Sequence, residues 1–354
     1  MSRKLTSLSM IAGLMGGTAF ADVPNVAVDI APVHSLVARV MDGVGEPSLI
    51  MPPTVSPHEY NLRPSEAAAL QNADIVVWMG EDLTPWLEGA VETLSTDAAV
   101  ITLLEAEETN LLDFREGALF EAHEHHDDHE EHDDHDDHDD HDDHDDHAED
   151  HDDHEDHEDD HDDHAHDDDH DEHDHEEAHD AHDHGEHDPH AWLSPMNASA
   201  WLNLIAAELS AADPENAGAY FANAAAGQAE LEALSSEVNA LLDPVRGGSF
   251  IVFHDAYQYF ETDFDLAASG AISIGDASDP SPARIAEIQE RVRNEGVGCV
   301  LAEAQFNPGL VSAVLDGTDA NTGVIDPLGA TLDPGTALYP QLIRNMAATL
   351  AECL

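Results

Sequence analysis

Short apolar runs alternate with amphipathic stretches along most of the chain. Val26 to Ile30, Ser48 to Met51, Ile75 to Met79 and Val100 to Leu103 are too short for helices and are bounded by polar, Gly or Pro residues. They read as strands. Ser35 to Met41, Ala67 to Asn72 and Pro85 to Leu94 lie between them with helical spacing, and Pro64-Ser65 supplies a start signal for the second. Trp192 to Leu209 continues the same lobe. Pro214 to Leu242 then reads as one long helix, because Phe221, Ala224, Gln228, Leu231, Leu234, Val238 and Leu241 recur at spacings of three and four. At 1.5 Å per residue it spans about 43 Å, enough for a spine between two lobes. The alternation returns after Pro244. Phe250 to Phe253, Val297 to Leu301 and Val324-Ile325 are strands. Ala283 to Arg293 and Pro340 to Leu354 are helices, the first with Pro282 at its start and Gly296 beyond its end.

Strands that alternate with helices predict parallel sheets. The expected fold is therefore α/β: two lobes with parallel sheets joined by a long rigid helix. Residues 22–212 form the N-terminal lobe, 213–243 the linking helix and 244–354 the C-terminal lobe.

The pattern breaks at 121–188, which is almost pure His, Asp and Glu, written mostly as His-Asp-Asp. Its period of three suits neither helix nor strand, and it has no apolar face. Half of the chain's 78 acidic residues lie there without a basic one. Nothing offsets the entropy of ordering such a segment, so a disordered, solvated loop is expected. Acidic residues alone would serve a solubilising insert. His at every third position points instead to capture of Zn²⁺ or similar ions, weakly and with fast exchange. His157-Glu158-Asp159-Asp160-His161 and His175-Glu176-Glu177-Ala178-His179 match a metallopeptidase pattern. That chemistry needs both His on one face of a packed helix, and these segments have no packing face.

Charge and processing signals narrow the class. The formal net charge is −68, and Lys4 is the only Lys. Nucleic acid and anionic membranes are excluded as partners by repulsion. Arg3 and Lys4, the apolar stretch from Met10 to Leu14, and Thr18-Ala19-Phe20-Ala21 read as a secretory signal over residues 1–21. No Cys lies near the cleavage site, so an exported, soluble, monomeric protein without a lipid anchor is expected. Cys299 and Cys353 are the only cysteines, and in an exported chain such a pair reads as a disulfide.

In open α/β sheets ligands bind beyond the C-terminal ends of strands. All but three of the 27 His lie between His123 and His190; the others are His34, His58 and His254. His58 follows a first-lobe strand in a Pro-rich loop, and His190 stands where the tract re-enters the fold. His254 and Asp326 each follow a second-lobe strand. Two candidates come from each lobe, so a metal site in the cleft is expected. Three imidazoles plus a carboxylate or water make a four-coordinate Zn²⁺ set. Taken singly, each has a plain structural alternative: a solvated loop residue for His58, the end of a His run for His190, a capping or core residue for His254, a turn residue for Asp326. His34, at a strand–helix junction without acidic neighbours, reads as structural.

Several motifs carry a resemblance. They are Pro57-His58-Glu59-Tyr60-Asn61-Leu62-Arg63-Pro64-Ser65, Asn72-Ala73-Asp74-Ile75-Val76-Val77-Trp78 and Asp188-Pro189-His190-Ala191-Trp192-Leu193-Ser194-Pro195. Phe253-His254-Asp255-Ala256-Tyr257-Gln258-Tyr259-Phe260 and Asp326-Pro327-Leu328-Gly329 continue them. In this order they resemble the periplasmic zinc-binding proteins of high-affinity zinc ABC importers, the ZnuA family, over nearly the whole mature chain. The resemblance implies Zn²⁺ as a transported ligand held by His58, His190 and His254 between two lobes. It leaves the fourth position open between Asp326, Glu59 and water. It also implies delivery to a membrane permease, a periplasmic location, a His-rich loop at 121–188 and a Cys299–Cys353 disulfide. The manganese-binding relatives carry Glu where His254 stands. This tract departs from the family in its length and Asp content. The alternative classes are a secreted zinc-buffering protein and, further off, a zinc metallopeptidase.

Overall fold

The structure is a computed structural model, and it describes residues 23–115, 120, 187–273, 280–306 and 308–354. The expected signal at 1–21 and all of the tract except His187 and Asp188 lie outside the described residues.

Two four-stranded sheets form the frame. In the first, β1 (Val26–Val28), β2 (Ser48–Leu49), β3 (Ile75–Trp78) and β4 (Ala99–Thr102) run parallel in the order β2-β1-β3-β4. Helices α1 (Ala31–Val40), α2 (Pro64–Gln71) and α3 (Pro85–Leu94) connect them. In the second, β5 (Phe250–His254), β6 (Ala271–Ser273), β7 (Cys299–Glu303) and β8 (Asn321–Ile325) run parallel in the order β6-β5-β7-β8. Here the helices are α6 (Gln258–Phe264), α7 (Pro282–Glu295) and α8 (Pro308–Leu315), and α9 (Leu338–Cys353) closes the chain. Every residue of β1, β3, β5 and β6 is buried, as expected where helices cover both faces of a parallel sheet.

The sheets share one strand order. In each, the chain leaves the first strand toward one edge and returns across it toward the other. That reversal opens a crevice at the strands' C-terminal ends, between β1 and β3 in one lobe and between β5 and β7 in the other. At the first crevice Asp29 acts as a staple. Its carboxylate accepts the Ile30 amide at 2.7 Å and the Met79 amide at 2.7 Å. Burial nevertheless pushes the Asp29 carboxyl up to about 7, against those amide bonds.

α4 (Pro195–Ala212) and α5 (Ala217–Leu242) complete the frame. α5 packs on α1 and α4 on one side and on α9 on another. Tyr220, Leu234, Trp201, Tyr339 and Met346 enter one continuous core with residues of both sheets. The Tyr339 amide donates to Ser35 Oγ at 3.0 Å, tying α9 to α1. The long helix is thus clamped along its length, which makes it rigid.

Its start differs from the sequence expectation; its buried face agrees at Ala224, Leu231, Leu234 and Val238 and shifts by one residue at three other positions. The helix begins at Ala217, three residues after Pro214, because Asp213 holds a turn before it. Asp213 accepts from Asn216 Nδ2 at 2.6 Å and from the Tyr220 hydroxyl at 2.9 Å. Tyr220, Gly227 and Leu242 are buried, whereas Phe221 and Leu241 are 49% and 42% exposed. At Gly227 an added Cβ would stand 2.9 Å from Leu202 Cδ1, so α4 approaches closest where no side chain intervenes. Close approach, and not hydrophobicity, therefore sets the buried position at Gly227.

β7 also starts later than Val297. Gly296, at φ 70°, closes α7 in the left-handed region, Val297 carries the chain across, and Gly298 bonds the Ser249 carbonyl and the Asn321 amide just ahead of β7. The strand therefore ends on Glu303 instead of Leu301. α6, β6 and α8 were not expected, since elements this short carry too few residues to show a period.

Cys299 and Cys353 are bonded, joining the start of β7 to the last turn of α9 across 54 positions. Replacing both with Ala should lower stability by about 2–4 kcal/mol through the released chain entropy of the unfolded state. Urea denaturation measures the loss, and thiol titration of native protein should find no free cysteine.

Candidate metal centre

The three scarce His side chains are placed by different devices. His58 lies in the loop after β2, where ladder bonds cannot hold it. Its amide donates to Ser56 Oγ at 3.2 Å. Trp86 of α3 donates Nε1–H to the Pro57 carbonyl at 2.7 Å, and the Tyr60 ring meets Trp86 edge-on. His190 follows Asp188-Pro189 and precedes a short 3₁₀ turn, Ala191–Leu193. His254 is the last residue of β5, at the crevice beside β7.

The rings converge on one cavity, lined by His58, His190 and His254. The His58 and His190 ring centroids are 5.3 Å apart, as are those of His190 and His254. His58 Nε2 and His190 Nε2 stand 3.3 Å from each other. Two nitrogens bound at 2.0–2.1 Å to one tetrahedral ion are separated by about 3.3 Å. Among the described residues, no group of three or more His, Cys, Asp or Glu side chains is placed to hold a metal ion as it stands.

Two carboxylates fix which nitrogen faces the cavity. Asp188 Oδ1 accepts from His190 Nδ1 at 2.7 Å and from the His190 amide at 3.0 Å. Glu303 Oε1 lies 2.7 Å from His254 Nδ1. An Nδ1–H donated to a carboxylate leaves the lone pair on Nε2, which is the arrangement of metal-ligating His. Burial pushes the Asp188 carboxyl up to about 7, opposed by the His190 amide and by the charge of Arg115. A cation on His190 would favour its ionised form.

Arg115 knits the site to both lobes. It donates Nε–H to Asp255 Oδ1 at 3.0 Å and Nη1–H to Glu261 at 2.8 Å, and its Nη2 also bonds Asp255. Asp255 and Glu261 are buried, and desolvation raises both carboxyls against the pull of Arg115. The Tyr259 hydroxyl donates to the Asp188 carbonyl at 2.7 Å and accepts the Leu112 amide at 3.0 Å. Asp113 and His187 form an antiparallel bridge beside it. Trp192 donates Nε1–H to the Pro327 carbonyl at 2.9 Å. The chain is thus fastened to the second lobe on either side of the tract, at Leu112 and Arg115 before it and at Asp188 and Trp192 around His190.

The other candidates lie elsewhere. Asp326 Oδ1 accepts the amides of Leu328 and Gly329 at 3.1 and 2.9 Å, and Asp326 does not line the cavity. Glu59 is exposed. His34 is buried in α1 with Nε2 3.1 Å from the Pro47 carbonyl, a structural placement. Asp188 and Glu303 were missed by sequence reasoning. Asp188, two residues before His190, offered a local signal. Glu303 is 49 positions from His254 and offered none.

The sequence model of the family described as zinc-uptake complex component A, periplasmic, matches residues 26–353. The chain belongs to the ZnuA family. It is 45% identical to the high-affinity zinc uptake system protein ZnuA of Brucella abortus (strain 2308), over 98% of this chain and 96% of that one. It is 44% identical to the protein of the same name from Paracoccus denitrificans (strain Pd 1222), covering 98% and 97%. Among solved structures it superimposes on a ZnuA with a TM-score of 0.67 at 21% identity, covering 94% of this chain and 99% of that one. A zinc-bound ZnuA deletion mutant gives 0.66 at 21%, covering 94% and 98%. Those two likenesses speak for the fold: two parallel-sheet lobes and a long helix, as in ZnuA.

In this ZnuA-family chain, Glu303→Gln keeps an acceptor on His254 but removes its charge. Zinc affinity should fall about 10–100-fold, the usual cost of disturbing a carboxylate behind a metal-bound His. Competition against a chelator of known affinity checks this, with circular dichroism to confirm the fold.

Proposed function

We propose that the chain captures Zn²⁺ between its lobes and delivers it to the membrane permease of a zinc ABC importer. The observation that carries this reading is the convergence of His58, His190 and His254, from three separate segments, on one cavity. Family membership and the zinc-uptake names of its relatives support the same reading.

Three neutral imidazoles hold the ion without neutralising it. The buried acids behind them favour a cation. Of the occupants left open for the fourth position, water is better supported than Asp326 or Glu59, because Asp326 is engaged in a backbone turn and Glu59 is exposed. Because the ligands come from both lobes, affinity depends on lobe spacing. A partner that parts the lobes releases the metal, and no covalent chemistry is required.

The location follows from the same reading: a periplasmic, monomeric carrier exported by the signal at 1–21. Among the described residues no helix is long and apolar enough to cross a membrane. The 22–212 and 244–354 lobes, joined through 213–243, act as the two jaws. The tract at 121–188 serves as a zinc-collecting antenna with several weak sites. Each ion bound there must order its own stretch of chain, so affinity per ion is lower than in the cleft.

Deleting residues 121–186 should leave one tight zinc event and remove the weak ones. His254→Ala in that background should abolish the tight event. Calorimetry with circular dichroism measures both. Zinc binding confined to the tract would instead make the chain a passive zinc buffer. Peptidase activity lost on Glu158→Gln or Glu176→Gln would favour the metallopeptidase reading.

A further inference from the structure

Gln305 is a polar side chain in the cleft that the reading above leaves unused. It lines the same cavity as the three His residues. Both its Oε1 and its Nε2 are buried and lack a hydrogen-bond partner among the described residues. A buried carboxamide left unpaired on both atoms is costly, and such groups ordinarily have a partner. The cavity offers about 20 Å³ to the centre of a water molecule. One water needs roughly 10–15 Å³ by that measure, so the space has room for a single water-sized group.

The side chain is not there by slack. Gln305 sits in the turn directly after β7, between Glu303, which holds His254, and Phe306. The Phe306 amide closes that turn on the Glu303 carbonyl at 3.3 Å. The Phe306 ring stacks on Phe253 with centroids 4.4 Å apart and meets His254 edge-on at 5.6 Å. One short segment therefore orients a candidate ligand and presents an amide to the same space.

We propose that Gln305 is a positioning residue that holds a metal-bound water at the fourth corner of the three-His set; this rests on the metal site proposed above. Three imidazoles leave one tetrahedral position, and a water there carries O–H donors that need an acceptor. Oε1 supplies one, and Nε2–H can donate if that water ionises. Because the amide is neutral, it stabilises the water without becoming a charged ligand itself. A carboxylate of the same length would bind the ion directly and add a negative charge, tightening capture and slowing release. Gln305 thereby sets a grip suited to a cargo that must be handed on.

The test uses the full chain with Gln305→Leu and Gln305→Glu. Zinc is titrated against a chelator that keeps free metal below what the tract retains, and release into excess chelator is followed by stopped flow. Co²⁺ bound at the site is read by its visible bands, as the difference from His254→Ala. We expect Gln305→Leu to bind zinc about tenfold more weakly with altered Co²⁺ bands, the size usual for a residue acting behind the ligands. Gln305→Glu should bind more tightly, release at least about tenfold more slowly and shift the bands in a different way. Should the Leu variant not fold, Gln305→Met keeps the length and carries the same expectation. Affinities and release rates within twofold of the parent, with unchanged bands in both variants, would overturn the proposal while leaving the His site standing. Tight binding that survives His254→Ala in the parent would instead remove the site itself, and the role of Gln305 with it.

Discussion

An imidazole has one lone pair to offer a cation, and the hydrogen bond on its other nitrogen decides where that pair sits. Asp188 and Glu303 make that choice for His190 and His254. Much of the surrounding structure follows from their presence. Each carboxylate must be buried to stay on its imidazole, and a buried carboxylate is costly without compensation. For Asp188 the His190 amide and the charge of Arg115 supply it, for Glu303 the His254 amide does, and Arg115 also pairs the neighbouring Asp255 and Glu261. These acids sit where two lobes meet, so the bonds that satisfy them also fasten the lobes. Orientation of the ligands and cohesion of the cleft are one network.

The frame makes that network possible. Two sheets of identical strand order each open a crevice at their C-terminal edge. α5, packed against α1, α4 and α9, sets how those edges face each other. The first lobe seals its crevice with Asp29 bonding across to Met79. In the second lobe the corresponding place holds His254 and Glu303. A carboxylate bridges the two strand ends in both lobes; only in the second does it act through an imidazole.

Charge works at two levels. The tract concentrates His and acid in a segment with no apolar area, which favours many weak encounters with a cation. In the cleft an acid stands one bond behind each of His190 and His254. In the proposed reading, ordering costs fall on each ion in the tract and were met by folding in the cleft. The two regions adjoin at Asp188, which follows the Asp113–His187 bridge and holds His190.

Local pattern was enough for the α/β class, because strand and helix periods are short-range properties of the chain. The rarity of His outside the tract, with the strand-end rule, pointed to His58, His190 and His254, which the fold brings to one cavity. The cysteine pair was legible from number and compartment. The start of α5 was not, because Asp213 and Tyr220 form a turn that overrides the Pro214 signal. Its buried face was legible at Ala224, Leu231, Leu234 and Val238, but not at Gly227, where α4 approaches closely without a hydrophobic cue. Glu303 lay two residues beyond the expected strand end at Leu301, and only the pairing of β5 with β7 put it beside His254. Arg115 carried no pattern at all. Its role depends on contacts with Asp255 and Glu261, far away in sequence, and no period along the chain encodes such contacts. The residue types that can bind a metal were set by the sequence; which of their nitrogens face one cavity was decided only when two lobes packed around one helix.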